Sequence, residues 1–225
     1  SRVDTEKFSV VRLDKETFVR AFPISVDGHV TGDVQENDLT AQIENIKKEF
    51  DLENKIIGIG VDRIDYTKGI VERVLAIDRF FEKYPQYRKK VVFMQLAAPS
   101  RVHIKRYHDL MSEIDELVEK KNWKYMDGNW KPIIYLKKHF SQEEIAPFYR
   151  MADFCIVSSL HDGMNLVAKE YVASKKDLSG ALILSQFTGA ARELTGAVQF
   201  NPYAIEEFAD AIKFSLEMPL EEKRK

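Results

Sequence analysis

An arginine and a lysine, Arg63 and Lys68, lie five residues apart where a short apolar run gives way to a helical pattern. A dinucleotide-binding fold carries its glycine fingerprint at such a strand-to-helix turn. Here Gly58 and Gly60 are present, but Arg63 occupies the third glycine position. Guanidinium and ammonium groups at such a turn are suited to binding a diphosphate. The spacing therefore predicts a phosphate-binding pair, and two solvated surface cations remain the alternative.

Two carboxylates bracket a second candidate site. Asp162 follows a strand-like apolar run, and Glu170 lies eight positions later in a helical pattern. Eight helical steps cover about 12 Å, the scale of a sugar-to-ribose span in a nucleotide sugar, and each carboxylate could bind two vicinal hydroxyls. The amides from Gly163 to Val167 would then meet a diphosphate at a helix N-terminus. The alternative is that Asp162 only caps the helix and Glu170 is an exposed helix residue.

Composition and charge exclude several classes of protein. The 225 residues carry a net charge of -2 with 44% hydrophobic residues, which is typical of a globular domain and not of a nucleic-acid-binding protein. No apolar run reaches the roughly 20 residues that a membrane helix needs, and residues 1–10 have no secretory pattern. We therefore expect a cytoplasmic protein with no membrane or nucleic-acid partner.

Metal-binding patterns are also missing from the sequence. The single cysteine, Cys155, lies inside an apolar run, which favours a core thiol over a disulfide or a zinc ligand. None of the histidines forms an i, i+4 pair with another; they are His29, His103, His108, His139 and His161. We therefore expect no metal and no cofactor.

Strand-like and helical patterns alternate from Asp38 onward, which predicts a doubly wound, Rossmann-like α/β domain with a parallel sheet. Ligands bind such sheets at the carboxyl ends of the strands. The predicted strands are 55–61, 91–97, 132–136, 153–158, 181–184 and 197–200, and the predicted helices are 69–83, 101–121, 142–151, 165–175 and 205–216.

The first 35 residues follow a different pattern. Residues 8–13 and 17–24 are predicted as two β segments joined at 14–16, and Asp27, Gly28, Gly32 and Asp33 indicate a linker. We therefore predict a boundary that separates residues 1–35, a hairpin and linker, from a domain at 36–225.

With both candidate sites located, the chain resembles the family of alpha,alpha-trehalose-phosphate synthases (UDP-forming). The resemblance extends from Ile56 to the C-terminus, in the family's order and with similar spacing. It rests on VDRIDYTKG at 61–69, APSR at 98–101, YLKKHF at 135–140, DGMNLVAKEYV at 162–172, LSQFTGA at 184–190 and NPY at 201–203.

The resemblance implies a two-domain GT-B fold in which this chain is the nucleotide-sugar-binding half. Arg63 and Lys68 would contact the donor diphosphate and act in catalysis, and Arg101 would reach the phosphate of the acceptor. The remaining implied donor contacts are Phe140 at the uracil, Asp162 at the glucose hydroxyls, the segment Gly163, Met164, Asn165, Leu166 and Val167 at the phosphates, and Glu170 at the ribose.

The reaction implied is transfer of glucose from UDP-glucose to glucose 6-phosphate with retention, giving trehalose 6-phosphate without a metal. Residues 1–35 would be the remnant of an otherwise missing acceptor domain, so we expect the isolated chain to bind donor without turnover. The unpaired hairpin edge could also support a homo-oligomer.

Two alternatives stay open. One is a non-catalytic regulatory paralogue or scaffold of a trehalose synthase complex. The other is a related transferase with a different donor base or acceptor. The sequence also departs from the family at His161, where an arginine is usual, and at Ser25-Val26, where Gly-Ile is usual.

Overall fold

The structure, a computed structural model, describes residues 2–20, 22, 24–26 and 36–224. Its elements in chain order are β1 (Arg2–Asp4), β2 (Ser9–Arg12), β3 (Lys15–Phe18), α1 (Glu36–Glu49), β4 (Ile56–Arg63), α2 (Ile70–Lys83), β5 (Val91–Ala98), α3 (Lys105–Tyr125), β6 (Ile133–Leu136), α4 (Gln142–Met151), β7 (Phe154–Val157), α5 (Leu166–Ser174), β8 (Ala181–Ser185), β9 (Val198–Phe200), α6 (Ile205–Glu217) and α7 (Leu220–Lys223), with 3-10 turns at Pro85–Tyr87 and Gly189–Arg192.

Six strands form one parallel sheet in the order β6-β5-β4-β7-β8-β9. This confirms the doubly wound α/β fold and all six predicted strands. Every residue of β7 and β8 is buried, as expected where helices cover both faces of a parallel sheet. The chain enters at β4, moves outward to β6, and returns to place β7 on the other side of β4. The switch point of the topology therefore lies between β4 and β7, where ligands of such sheets bind.

The N-terminal segment differs from its prediction. It forms a three-stranded antiparallel sheet in the order β1-β2-β3, and β1 was not predicted. Arg12 pairs with Lys15, so the turn is Leu13-Asp14 and the predicted connection at 14–16 was wrong. Leu13 takes a positive φ of 55°, which a two-residue hairpin turn demands. The second segment ends at Phe18 and does not continue to residue 24.

Part of the predicted linker lies outside the described residues. This holds for Asp27, Gly28, His29, Gly32 and Asp33, and for the end of the 1–35 segment. The boundary at 35/36 stays a prediction.

In the part of the chain that is described, none of the helices combines the length and apolar character needed to cross a bilayer.

A buried arginine joins the strands at the switch point. Arg73 of α2 is 0% exposed, and its Nη1 donates to Asp62 Oδ2 on β4 and to Gln95 Oε1 on β5, both at 2.6 Å. Its Nε donates to Ser158 Oγ, just after β7, at 3.0 Å. A Cβ at Gly60 would lie 2.3 Å from Arg73 Nη1, so a larger residue there would displace the guanidinium. One side chain thus fixes the three strands whose ends carry the candidate site.

Removing this arginine should destabilise the fold strongly, because Asp62 would be left as an unpaired buried charge. For Arg73→Ala we expect a loss of about 3 to 5 kcal/mol in the free energy of unfolding, measured by urea denaturation. Arg79→Ala is the matched control on the same helix, since Arg79 makes only solvent-exposed ion pairs and should have little effect. Equal losses in the two variants would contradict the structural role of Arg73.

Candidate functional site

The loop between β4 and α2 carries the two predicted cations. Arg63 ends β4 and is exposed, and within the described part of the chain its side chain makes no hydrogen bond or ion pair. Asp65 Oδ1 accepts hydrogen bonds from the amide and hydroxyl of Thr67, at 3.0 and 2.9 Å, which orders the loop. Gly69 has a φ of 62°, and a Cβ there would lie 2.1 Å from the carbonyl oxygen of Ser158. Only glycine permits this approach of the loop to the end of β7.

The loop between β7 and α5 brings Asp162 to Lys68. Lys68 Nζ lies 2.7 Å from Asp162 Oδ2, and both side chains are less than one-fifth exposed. The amide of Met164 and the side-chain amide of Asn165 also donate to Asp162, each at 3.2 Å. A hydrogen bond from Leu160 N to Thr67 O, at 2.7 Å, ties the two loops together. The structure therefore joins two sequence-predicted residues that stand 94 positions apart.

Asp162 is not the helix cap. Asn165 holds that position, with a φ of 83°, and its side chain accepts from the amide of Ala168 at 3.0 Å. The alternative in which Asp162 only caps α5 is therefore wrong. The helix begins at Leu166, so the eight steps from Asp162 to Glu170 do not form a continuous helical span.

Backbone donors remain available at the start of α5. Four backbone amides here make no hydrogen bond to any described residue: those of Gly163, Asn165, Leu166 and Val167. The amide of Met164 differs from the prediction, because Asp162 already accepts from it. Free amides and the positive end of the helix dipole together favour an anion at this position.

A second backbone segment fixes these amides in place. Gly189 N donates to Asp162 O at 2.9 Å, and Ala190 N donates to Met164 O at 2.8 Å. A Cβ on Gly189 would lie 2.1 Å from the carbonyl oxygen of Gly163. A cavity of about 700 Å³ borders this segment, and Phe22 lies on its wall.

Burial and pairing act in opposite directions on Asp162. Burial raises its pKa, but the hydrogen bond and charge of Lys68, the amide of Met164 and the side chain of Asn165 together lower the pKa below its usual value of 3.8. The carboxylate is therefore charged at neutral pH and holds Lys68 in a fixed position.

Phe140 and Glu170 both contact α4. Phe140 is buried and packs edge-on against Phe148 of α4, with ring centroids 5.8 Å apart. Glu170 of α5 is half-buried, and its Oε2 accepts a hydrogen bond from the hydroxyl of Tyr149 on α4 at 3.0 Å. The ligand contacts of both residues stay predictions, but one helix positions both.

Arg101 lies in a loop and not at the start of a helix, because α3 begins at Lys105. Its φ is 48°, an uncommon conformation for a residue other than glycine. Arg101 Nη1 donates to Tyr107 Oη at 2.8 Å, and Tyr107 in turn donates to Asp65 Oδ2 at 3.1 Å. Sequence reasoning missed Tyr107 and Asp65 as partners, since neither lies in a local pattern that points to Arg101.

Asp65 is held as an anion by this chain of hydrogen bonds. Burial raises its pKa, whereas hydrogen bonds from Thr67 and Tyr107 and the charge of Arg63 lower it overall. Arg101 is thereby connected to the loop that carries Arg63 and Lys68.

The described residues of the candidate site include no cluster of metal ligands. Among the residues that the structure describes, no group of three His, Cys, Asp or Glu side chains is arranged to hold a metal ion. A larger cavity, of about 850 Å³, lies beside β6 and is lined by other residues, including Trp123 and Tyr135.

Comparisons with known proteins match this chain to one family. The model of glycosyltransferase family 20 matches residues 1–225. An alpha,alpha-trehalose-phosphate synthase [UDP-forming] A of Dictyostelium discoideum is 40% identical over 98% of this chain and 30% of its own length. The 56 kDa synthase subunit of Saccharomyces cerevisiae is 40% identical over 89% of this chain and 40% of its own length.

Solved structures give the same result. A Burkholderia xenovorans synthase in complex with glucose-6-phosphate superposes with a TM-score of 0.90 at 33% identity, covering 96% of this chain and 48% of that one. An Escherichia coli structure bound with UDP-2-fluoro glucose has a TM-score of 0.84 at 33% identity, covering 96% and 49%. The chain thus spans about half the length of these solved relatives.

The Lys68–Asp162 pair should make stability depend on pH in one direction. The pKa of Asp162 is lowered in the folded protein, so the pair stabilises it above the usual value of 3.8 and the effect is lost as the pH falls through the lowered pKa. We expect Asp162→Asn to lose about 1 to 2 kcal/mol at pH 7 and to approach the wild type below about pH 4.

Urea denaturation over a pH series measures this difference. Asp115→Asn is the control, because Asp115 pairs with Lys137 at the exposed surface and should show little pH-dependent difference. A difference between Asp162→Asn and the wild type that stays constant down to pH 2 would contradict the ion-pair explanation.

Proposed function

Because the chain belongs to glycosyltransferase family 20, we propose that it is the donor-binding half of a retaining glucosyltransferase. The reaction is transfer of glucose from UDP-glucose to glucose 6-phosphate, which forms trehalose 6-phosphate. One observation supports the proposal most: the Lys68–Asp162 pair and the free amides at the start of α5 lie together at the switch point of the sheet. Relatives in complex with glucose-6-phosphate and with a UDP-glucose analogue support these substrate classes.

The diphosphate of the donor is the group that this site suits best. Arg63 is exposed and unpaired among the described residues, so it can bind a phosphate without breaking another contact. Lys68 is held by Asp162, which fixes its ammonium group before a ligand arrives. The amides of Leu166 and Val167 add neutral donors at the positive end of the helix.

Departure of UDP is the difficult event in such a transfer, since negative charge develops on the β-phosphate. Preorganised cations and amide donors stabilise that charge more in the transition state than in the ground state. Arg63, Lys68 and the start of α5 supply these groups, and we propose that no metal ion takes part. Asp162 would hold hydroxyls of the transferred glucose through its accepting oxygens.

Base, ribose and acceptor are assigned to the margins of the site. We assign the uracil to the region of Phe140, and the ribose hydroxyls to Glu170. Arg101 would contact the acceptor phosphate from the loop after β5, and its bond to Tyr107 limits its freedom.

The acceptor half is proposed to be a separate domain, and residues 1–35 to be its remnant. Support comes from the share of the relatives that this chain covers and from the N-terminal sheet, where Val3, Phe8, Leu13 and Phe18 are more than half exposed. Apolar side chains in such numbers on a three-stranded sheet indicate a surface that packs against further structure, or against a second copy in a homo-oligomer.

Loss of either cation should weaken nucleotide binding. Hydrogen bonds to charged groups contribute about 1.5 to 3 kcal/mol, so Arg63→Ala or Lys68→Ala should weaken UDP binding roughly 10- to 100-fold in calorimetric titrations. Binding of the wild type should persist in EDTA. Lys213→Ala is the charge-matched control and should keep the wild-type affinity, because Lys213 pairs with Glu217 within α6.

The assignment fails if both site variants bind UDP like the control, or if EDTA abolishes binding. Titration with GDP and ADP in the same experiment tests the alternative of a different donor base.

The chain alone should bind the donor without turnover. Orienting an acceptor against the anomeric carbon can contribute roughly 7 to 11 kcal/mol, and in the assigned site only Arg101 is available for that purpose. We expect no UDP release from UDP-glucose and glucose 6-phosphate with this chain, and UDP release when a separately made acceptor domain is added. Synthesis of trehalose 6-phosphate by the chain alone would refute the half-site proposal. Donor binding without turnover in the complemented sample would instead favour the regulatory paralogue.

A further inference from the structure

A buried tyrosine on α4 contacts the carboxylate that we assign to the ribose. Tyr149 is 2% exposed, and its hydroxyl donates to Glu170 Oε2 at 3.0 Å. Burial and then the charge of Glu170 raise the pKa of this hydroxyl well above its ordinary range, so it stays protonated and remains a donor. The hydroxyl therefore gives Glu170 a fixed partner from inside the protein.

The second carboxylate oxygen is left for a ligand. Within the described residues, Glu170 Oε1 accepts no hydrogen bond, while Oε2 is occupied by Tyr149. A half-buried glutamate on a helix has several rotamers, and a fixed donor on one oxygen selects among them. The free oxygen then has a defined direction before any nucleotide binds.

The same helix also contacts the residue that we assign to the base. Phe148, next to Tyr149, packs against Phe140. Ser141 caps the start of α4 in a capping box: its hydroxyl accepts from the amide of Glu144, and the Glu144 carboxylate accepts from the amide of Ser141. The position of α4 is thus well determined at its start, and Tyr149 transmits that position to Glu170.

We propose that Tyr149 is a positioning residue that orients Glu170 toward the ribose hydroxyls, so that discrimination between ribonucleotides and 2′-deoxyribonucleotides depends on a tyrosine that does not touch the ligand. The inference rests on the proposed function, which assigns the ribose to Glu170. The inference adds Tyr149 as the residue on which specificity for the ribose depends at that site.

The test compares UDP with 2′-deoxy-UDP by calorimetric titration of the chain. The wild type should prefer UDP, and Tyr149→Phe, which keeps the ring and removes only the hydroxyl, should reduce that preference about 3- to 10-fold. The reduction should come from weaker UDP binding, with 2′-deoxy-UDP changed less. In a Glu170→Gln background, Tyr149→Phe should lower the preference much less, because the oriented charge is already gone.

Tyr171→Phe is the matched control. Tyr171 is 1% exposed, its ring lies 6.3 Å from that of Tyr149, and its hydroxyl donates to the carbonyl of Ala152 at 3.2 Å. Removing this hydroxyl disturbs the same part of the core and should leave the nucleotide preference unchanged. A second replacement, 4-aminophenylalanine in place of Tyr149, keeps a donor at the same position and should keep the wild-type preference.

Different failures separate the two proposals. If the wild type binds neither nucleotide, the proposed function is wrong and the inference falls with it. If the wild type prefers UDP and Tyr149→Phe keeps that preference, only the inference is overturned. Equal weakening of both nucleotides in Tyr149→Phe, or an altered preference in Tyr171→Phe, would also overturn it. If Tyr149→Phe does not fold, loss of the preference with 4-aminophenylalanine would overturn the inference.

Discussion

The buried guanidinium of Arg73 is the contact on which the arrangement of the loops depends. It binds Asp62, Gln95 and Ser158, which belong to three adjacent strands or their ends. An arginine away from water is tolerated only when its charge is paired and most of its donors are used. Because one rigid fork meets all three acceptors, the ends of β4, β5 and β7 cannot shift independently. The loops that follow these strands carry Lys68, Arg101 and Asp162. The buried contacts of Arg73 therefore determine where these three residues lie relative to one another.

Backbone contacts extend this order to the loops themselves. Gly69 lies against the carbonyl of Ser158, and Gly189 lies against the carbonyl of Gly163. Hydrogen bonds of the main chain then join each pair of loops. Side chains alone would leave long surface loops free to adopt many conformations, whereas these contacts fix the amides at the start of α5. A rigid set of donors needs little reorganisation when an anion binds.

Much of the fold followed from the sequence, because buried parallel strands are short apolar runs that local patterning reveals. The sequence also allowed three candidate site residues to be selected, because charged residues that follow strands can bind polar ligands. These are the cations Arg63 and Lys68 and the carboxylate Asp162. Local patterns could not show that Lys68 pairs with Asp162, that Tyr107 binds Arg101 or that Arg73 is buried, because each contact joins distant parts of the chain.

The errors have local physical causes. The helix predicted from Arg101 starts at Lys105, because the backbone at Arg101 turns into the left-handed region first. The alternative role of Asp162 as the cap of α5 fails as well, since Asn165 caps the helix while Asp162 pairs with Lys68 and accepts from the amide of Met164. The hairpin turn was placed too late, since Lys15 and Glu16 lie in the strand and the positive φ falls on Leu13.

The separation of 94 positions between Lys68 and Asp162 has a consequence for how the chain folds. Bringing two residues so far apart in the chain together costs loop-closure entropy, so such a contact forms more slowly than local contacts do. We therefore expect the ion pair to form together with the parallel pairing of β4 and β7, which brings the two loops side by side. A partly folded chain would present no assembled anion site, so the nucleotide that we propose as the ligand would add its binding energy to the finished fold alone and slow its global opening.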